Sequence, residues 1–413
     1  MRQRIHRVVT LAALLATMGC GDSFFEVSDP DILEATNFDP ETDGMTLARS
    51  AFQNLSDYYG DHVVYSAWWS HEARVGDTFP TRNEFGRRFL DDTNGTLNNP
   101  VWTELTLAAT SGELVLATLQ GPELAVALGA FTEGYALILM AETFCDGTVT
   151  SDPLVPGPKL STAQMLDLAV ERLTLARTQA AADGSDEAED LATAALVGIA
   201  RAHLQAGRKA EAAAAASGVP ADFLFELTYV DDAANRGRLG NDVWGFTTAR
   251  QSLVVPPQYI AIADAGDPRV KYKDTGGLAQ DSELEFIRQE KYLGYAVPLR
   301  LASGLEARYI IAEAVGSMAD QLALINERRA SVGQAPFSSS DPTAVFAELM
   351  MQRSLDFWLE GKKMGDYRRN GHAVPFVLPD NSPYYKEGVG TVGSQQCWPV
   401  PDAEKRANPN FGG

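Results

Sequence analysis

The sequence predicts a mainly all-α fold, tetratricopeptide-like helical hairpins carrying long irregular loops, and three observations predict it. Apolar residues recur at helical spacing through long stretches punctuated by single glycines. "DLATAALVGIARAHLQAGRKAEAAAAAS" reads as two small-residue helices hinged at Gly207, with Ala192, Ala195, Ile199 and Ala202 on one face. A related pair recurs at 304–315 and 320–331, separated by Gly316. The repeats keep no strict period, so the expectation is hairpins near 161–217 and 303–359, not a regular solenoid.

Taken in order, the chain opens with Arg2, Arg4 and Arg7 and an apolar run at 8–18. That run is too short to span a hydrocarbon core of ~30 Å as a helix, so residues 1–19 are expected to be a cleaved secretory signal. "LLATMGC" resembles the lipobox of bacterial lipoproteins, which makes Cys20 the lipidated first residue of the mature chain. The alternative is an ordinary signal with an incidental cysteine. Asp22, at the second mature position, leaves the choice of membrane open. Residues 20–44 read as an acidic spacer, and 45–413 as the body.

Within the body, Leu47, Phe52, Leu55 and Tyr59 predict a helix over 45–59. Residues 60–100 look irregular, rich in aromatic and arginine side chains. Helices follow at about 101–119 and 122–144, broken at Gly121-Pro122. Ser161 is a candidate N-cap for a helix striped by Met165, Leu168, Ala169, Leu173 and Ala176, and Asp183-Gly184-Ser185-Asp186 ends it. Residues 219–301 carry Pro, Gly and aromatics with little helical period, and loops of that length are usually functional. A last helix is expected at about 343–359, then a Gly- and Pro-rich tail.

Charge and cysteine content narrow the function. Formal charge is -21, and removal of the three signal arginines takes it to -24 (-21 minus 3). So negative a chain argues against nucleic acid and against electrostatic docking on anionic lipid. With 45% hydrophobic and 22% charged residues, the composition is that of a globular protein. Apart from Cys20, only Cys145 and Cys397 remain. In an exported chain they either pair, pinning the tail to the helical body, or stay as two buried thiols.

Several catalytic and binding patterns fail. Gly388-Val389-Gly390-Thr391-Val392-Gly393 matches a dinucleotide glycine pattern but lacks the flanking strand and helix, so it reads as a loop. Asp39-Pro40-Glu41-Thr42-Asp43-Gly44 begins like a calcium loop, yet Ser50 stands where a bidentate glutamate is needed. His62, His71, His203 and His372 show no metal-ligand spacing, no cofactor is implied, and no nucleophile elbow or Walker loop is present. His203 reads as core, and His71-Glu72 as solvated surface. Indole and phenol rings in irregular segments remain, since flat apolar faces stack on sugars while arginines bind hydroxyls. On that basis Trp68, Trp69, Arg74, Arg82, Trp244 and Tyr292 are the candidate ligand residues, while Trp102 and Trp358 fall on helices and read as core.

The C-terminal third carries "LRLASGLEARYIIAEAVG", "ALINERRASVG", "MMQRSLDFWLEGKKMGDYRRNG" and "WPVPDAEKRANPNF" in that order. This series resembles the SusD/RagB family of outer-membrane lipoproteins. Arg300, Glu306, Tyr309, Glu313 and Ala314 match its first helix motif. Arg353, Glu360, Gly361, Asp366 and Arg369 match a later one, and Pro399, Pro401, Asn408, Pro409 and Asn410 match its closing motif. Lys363 stands where the family usually has arginine, and Asp356 replaces its glutamate. The resemblance implies a non-enzymatic, lipid-anchored cell-surface protein that presents oligosaccharides, or peptides, to a SusC-like TonB-dependent outer-membrane transporter. It further implies a buried ion-pair and cap network in the Glu360/Arg369 region. A helical scaffold lipoprotein that binds another envelope protein without nutrient capture is the alternative, and a hydrolase using scattered carboxylates is a third reading.

Overall fold

The computed structural model describes residues 38–121, 123–152 and 155–412, so the signal, Cys20 and most of the acidic spacer lie outside the described residues. The chain divides after Asp43, and the larger unit runs from Gly44 to Gly413.

The first half is α1 (Pro40–Trp69), β1 (Arg74–Val75), α2 (Pro80–Gly86), a π turn (Leu97–Trp102), α3 (Thr103–Thr118), α4 (Glu123–Thr143), β2 (Asp146–Gly147), β3 (Leu160–Ser161), α5 (Thr162–Asp183), α6 (Asp186–Gln205) and α7 (Lys209–Ala216). The middle holds β4 (Leu224–Leu227), α8 (Arg236–Leu239), α9 (Asp242–Trp244), a second π turn (Gly245–Ala249), β5 (Leu253–Val254), α10 (Pro257–Asp264), β6 (Tyr272–Leu278), β7 (Glu285–Gln289) and β8 (Leu299–Ser303). Then come α11 (Gly304–Ala314), α12 (Met318–Ser331), α13 (Pro342–Asp356), α14 (Lys363–Asn370) and α15 (Asp402–Ala407). The described strands form antiparallel pairs β1–β5, β2–β3, β4–β8 and β6–β7, small clasps on a helical body.

Local chemistry sets the helix ends. Ser161 and Gln164 close a capping box on α5, and Gly184 ends it in the left-handed region at φ 71°. Ser185 then caps α6, and Ser317 with Asp320 repeats the capping box on α12. α4 is long and apolar enough to cross a membrane, yet 94% of its most apolar window is buried inside the protein. It is the core helix, flanked by α3 and α5. Gly112 on α3 and Gly129 on α4 let those two backbones meet: a Cβ on Gly112 would lie 2.7 Å from the Gly129 carbonyl.

One boundary departs from the sequence reading. α1 does not stop near residue 59 but runs through Gly60 to Trp69. Gly60 interrupts nothing; it makes room, since a Cβ there would stand 2.7 Å from Asp242 Oδ2. Tertiary packing overrides the low helix propensity of glycine.

Cys145 and Cys397 form a disulfide, with Cα atoms 5.2 Å apart across 252 residues of chain. The clasp continues in the backbone, where Trp398 N donates to the Thr143 carbonyl (2.7 Å) and Cys145 N to that of Trp398 (3.0 Å). The tail is thereby fixed to the end of α4.

The C-terminal motif residues make a lattice of buried ion pairs. Glu360 takes Arg300 Nε (2.8 Å) and Lys291 Nζ (2.6 Å). Asp366 takes Arg353 Nε (2.7 Å) and Arg369 (2.7 Å), while Arg369 also reaches Glu313 (3.0 Å). Glu306 pairs with Lys362 (2.8 Å), and Asp356 with Arg328 (2.9 Å) and Arg269 (3.1 Å). Glu360 and Arg369 do not pair with each other and share no ion-pair partner: Glu360 meets Arg300 and Lys291, and Arg369 meets Asp366 and Glu313. Burial alone pushes the Asp366 carboxyl up, but Arg353 and Arg369 outweigh it and hold the group at about 2. Lys363 donates to the Tyr259 hydroxyl (2.9 Å), and burial lowers its ammonium to about 8.

Candidate ligand cavity

A cavity of about 210 Å³ opens where α1 meets the loops that follow α2 and β4. Asp57, Asp61 and Tyr65 are spaced four apart on α1, so one helical face delivers all three into it. Arg82 enters from α2, Pro100 and Glu104 from the first π turn and α3, and Gly237 and Arg238 from α8. Asp242 comes from α9, where Asn241 caps the turn by accepting from Trp244 N, and Phe246 and Arg250 from the second π turn and its end. Larger hollows exist between α11 and α12 (about 490 Å³) and beside the threonines near α15 (about 340 Å³). Of these three, the smaller is the one where charged groups and aromatic rings converge.

The electrostatics are those of carboxylates crowded together out of water. Burial raises Asp57 to about 6, against a modest pull from Arg238 at 3.8 Å. Burial and then Asp57 raise Glu104 to about 7. Asp61 is pushed up by burial, then by Asp242 and Glu104; Asp242 is pushed up by burial, then by Asp57 and Glu104. Among the described residues no group of three or more His, Cys, Asp or Glu side chains is arranged to hold a metal ion. Beside the acids lies an arginine–aromatic stack. The Arg82 guanidinium bonds Asp77 and lies 4.8 Å from the Phe79 ring and 5.2 Å from that of Phe246, whose ring also meets Arg250 at 4.7 Å. Phe79 is 54% exposed, a free apolar face at the rim.

Of the six residues singled out from sequence, only Arg82 lines this cavity. Trp68 and Trp69 are fully buried at the end of α1, because the helix continues past Gly60 and turns them inward. Trp68 packs edge-on against Tyr65 and Phe246, so it backs the cavity wall, and Trp69 packs against Trp398. Tyr292 is buried and donates to the Leu359 carbonyl (3.3 Å). Arg74 lies 4.8 Å over the Tyr385 ring beside the β1–β5 pair. Trp244 is half-buried on α9, with Arg288 over its ring at 5.8 Å, next to the cavity but not in its wall. His71 and Glu72 are buried too, not solvated; the His71 ring bonds the Gly86 carbonyl (2.9 Å) and Leu378 N (3.0 Å). His203 is only half-buried and accepts from Arg208 Nε (2.8 Å). Asp57, Asp61, Glu104, Asp242, Phe79 and Phe246 carry the site unannounced. Only the Asp57–Asp61–Tyr65 spacing signalled it, and that requires α1 to cross Gly60.

A helical body of hairpins, clasped by short strand pairs and bearing its cavity against α1, defines the class of structure. By sequence, no protein-family model and no curated protein matches the chain. Solved structures do. A SusD/RagB family protein from Bacteroides thetaiotaomicron superposes with TM-score 0.65 at 14% identity, over 89% of this chain and 94% of that one. A laminarin-binding SusD-like protein gives 0.69 at 16%, over 90% and 98%, and a chitin-binding protein gives 0.62 at 15%, over 88% and 95%. The chain has the SusD-like fold.

Proposed function

We propose that this chain is a SusD/RagB family protein: a lipoprotein anchored through Cys20 at the outer cell surface, which captures oligosaccharides and passes them to a SusC-like TonB-dependent transporter. The observation that carries this reading is the SusD-like fold placing an arginine–aromatic stack, Phe79–Arg82–Phe246, on the rim of a cavity lined with hydrogen-bonding side chains. Aromatic faces stack on sugar rings, and carboxylates and guanidinium groups bind ring hydroxyls. Two solved structures of this fold, named for laminarin and chitin binding, support the ligand class. The lipobox-like "LLATMGC" supports the anchor.

The test is calorimetry and thermal shift on the full chain in detergent, against oligosaccharide and peptide libraries. A saturable response to one glycan class, weakened in Phe79→Ala without loss of melting temperature, is expected. A flat screen on folded protein would sink capture and leave the scaffold reading. Release of new reducing ends from a bound glycan would turn binding into hydrolysis. For the partner, co-purification from the native membrane is expected to bring down a barrel transporter, and Cys20→Ala is expected to lose both lipid label and membrane retention.

A further inference from the structure

Packing cannot hold a ring that stands half in solvent, so the exposed Phe79 depends on what fixes its backbone. Asp77, itself buried, does this with one carboxylate oxygen, which accepts from Phe79 N (2.8 Å), while the other takes the Arg82 guanidinium. One side chain thus sets both the ring and the cation that lies over it. Asp77 is held in turn from far along the chain. Its carbonyl accepts from Asn83 Nδ2 (2.8 Å) and from Nζ of Lys386 in the C-terminal tail (2.7 Å). Lys386 is 5% exposed and forms an ion pair with the buried Asp281 (2.8 Å), in the turn between β6 and β7. That turn grips the same loop: Asp281 N donates to the Gly76 carbonyl (3.1 Å), and Thr78 N donates to Gln280 Oε1 (2.8 Å). A lysine is rarely buried unless its ammonium is paired, and here both of its partners belong to segments that flank the rim.

We propose that Lys386 is a positioning residue for the ligand: through Asp77 it sets the Phe79 ring and the Arg82 guanidinium, so that a tail residue outside the cavity determines how firmly the rim is held. This rests on the glycan reading above and deepens it. A rim ordered before the ligand arrives loses less side-chain freedom on binding, and a stacking platform is only as exact as the residues that support it. An ammonium suits the role, since its several donors let one atom serve the Asp77 carbonyl and the Asp281 carboxylate together. Tyr385 and Tyr384 strengthen the junction from the same tail. The Tyr385 hydroxyl accepts from Val75 N (2.5 Å), and that of Tyr384 donates to Asn83 Oδ1 (3.3 Å), on the residue that shares the Asp77 carbonyl with Lys386.

The experiment is isothermal titration of the full chain in detergent with a laminarin hexasaccharide and a chitin hexasaccharide, joined to hydrogen exchange of the free protein. Lys386→Met alone strands a buried Asp281 carboxylate, so the variant used is Lys386→Met/Asp281→Asn, which removes both charges together. It is expected to bind the responding sugar roughly tenfold more weakly, the size of one charge-assisted contact. Exchange is expected to quicken at the amides of 77–83 and to stay unchanged in α4. Because Lys386 acts through Asp77 and Arg82, adding the double variant to Arg82→Ala is expected to cost little further affinity. Wild-type affinity in the double variant, or a loss that adds in full to that of Arg82→Ala, would overturn the inference. Exchange that quickens in α4 as much as at 77–83 would also overturn it, by making the ion pair a support of the whole fold. Failure of both sugars to bind the wild-type chain counts against the glycan reading, and the inference is then decided by exchange: quickening confined to 77–83 upholds it, and no change there overturns it.

Discussion

Around Glu360 and Asp366, buried carboxylates sit against lysine and arginine; around Asp61 and Asp242, they sit against one another. Both sets are acids taken out of water, yet burial is outweighed in the first and reinforced in the second. Glu306, Glu313, Glu360 and Asp366 are held below the ordinary carboxylate range by their cations, whereas Asp57, Asp61, Glu104 and Asp242 are pushed above it. The lattice joins β8, α11, α13 and α14 into one frame. In the cavity, burial and neighbouring acids both favour the protonated form, and perturbed groups of that kind concentrate where proteins bind ligands.

Breaking the lattice is expected to have the largest effect. Glu360→Ala strands Arg300 and Lys291 without their counter-charge, and removal of one partner from a buried pair costs roughly 3–5 kcal/mol. Chemical denaturation reads this directly; a loss under about 1 kcal/mol would mean the lattice is surface-like. Trp69→Ala empties a fully buried site and is expected to cost roughly 3–5 kcal/mol, which tests its assignment to core and not to ligand. The cavity responds with the opposite sign. Glu104→Gln is expected to stabilise the protein at pH 8 by roughly 1–2 kcal/mol, after allowance for its partial exposure to solvent. A destabilised variant would show that the acid cluster is structural.

pH sharpens the contrast further. Asp57 and Glu104 hold their protons more tightly folded, at about 6 and about 7, than at their ordinary 3.8 and 4.5. Their contribution to stability is therefore complete below those ordinary values and is lost as pH rises through about 6 to 7. Asp366 behaves inversely: at about 2 against 3.8, its contribution is present above 3.8 and is lost as pH falls through 2. Urea midpoints measured across this range are expected to decline between pH 5 and 7.5, and to decline less steeply in Glu104→Gln, where Asp57 still titrates; a flat wild-type profile would contradict the shifts. Phe79→Ala gives the smallest stability change, within about 0.5 kcal/mol as for exposed positions. Its effect belongs in binding.

Much of the frame was legible along the chain. Ser161, Gly184 and Ser185 announced the α5–α6 hairpin because caps and stops act on their nearest neighbours. Glu306, Glu360 and Asp366 could be matched as ordered motifs, though which cation each meets could not. The cavity was nearly illegible. Trp68 and Trp69 were misread because Gly60 looked like a helix end, and its purpose depends on Asp242, far along the chain. Glu104 and Asp242 carry no local signature at all, since a carboxylate among 55 acidic residues acquires meaning only from what it faces.

The sequence by itself determined the helical hairpins, the acidic charge, the resemblance borne by the C-terminal motifs and the two cysteines available to pair. These follow from periodicity, capping and composition, which are properties of neighbouring residues. Only the tertiary structure decided the Cys145–Cys397 pairing, the partners in the ion-pair lattice and the convergence of Asp57, Asp61, Glu104 and Asp242 on one cavity. Burial and unlike or like charge at a few ångströms set those outcomes, and both depend on residues brought together from α1, α3, α9 and the tail.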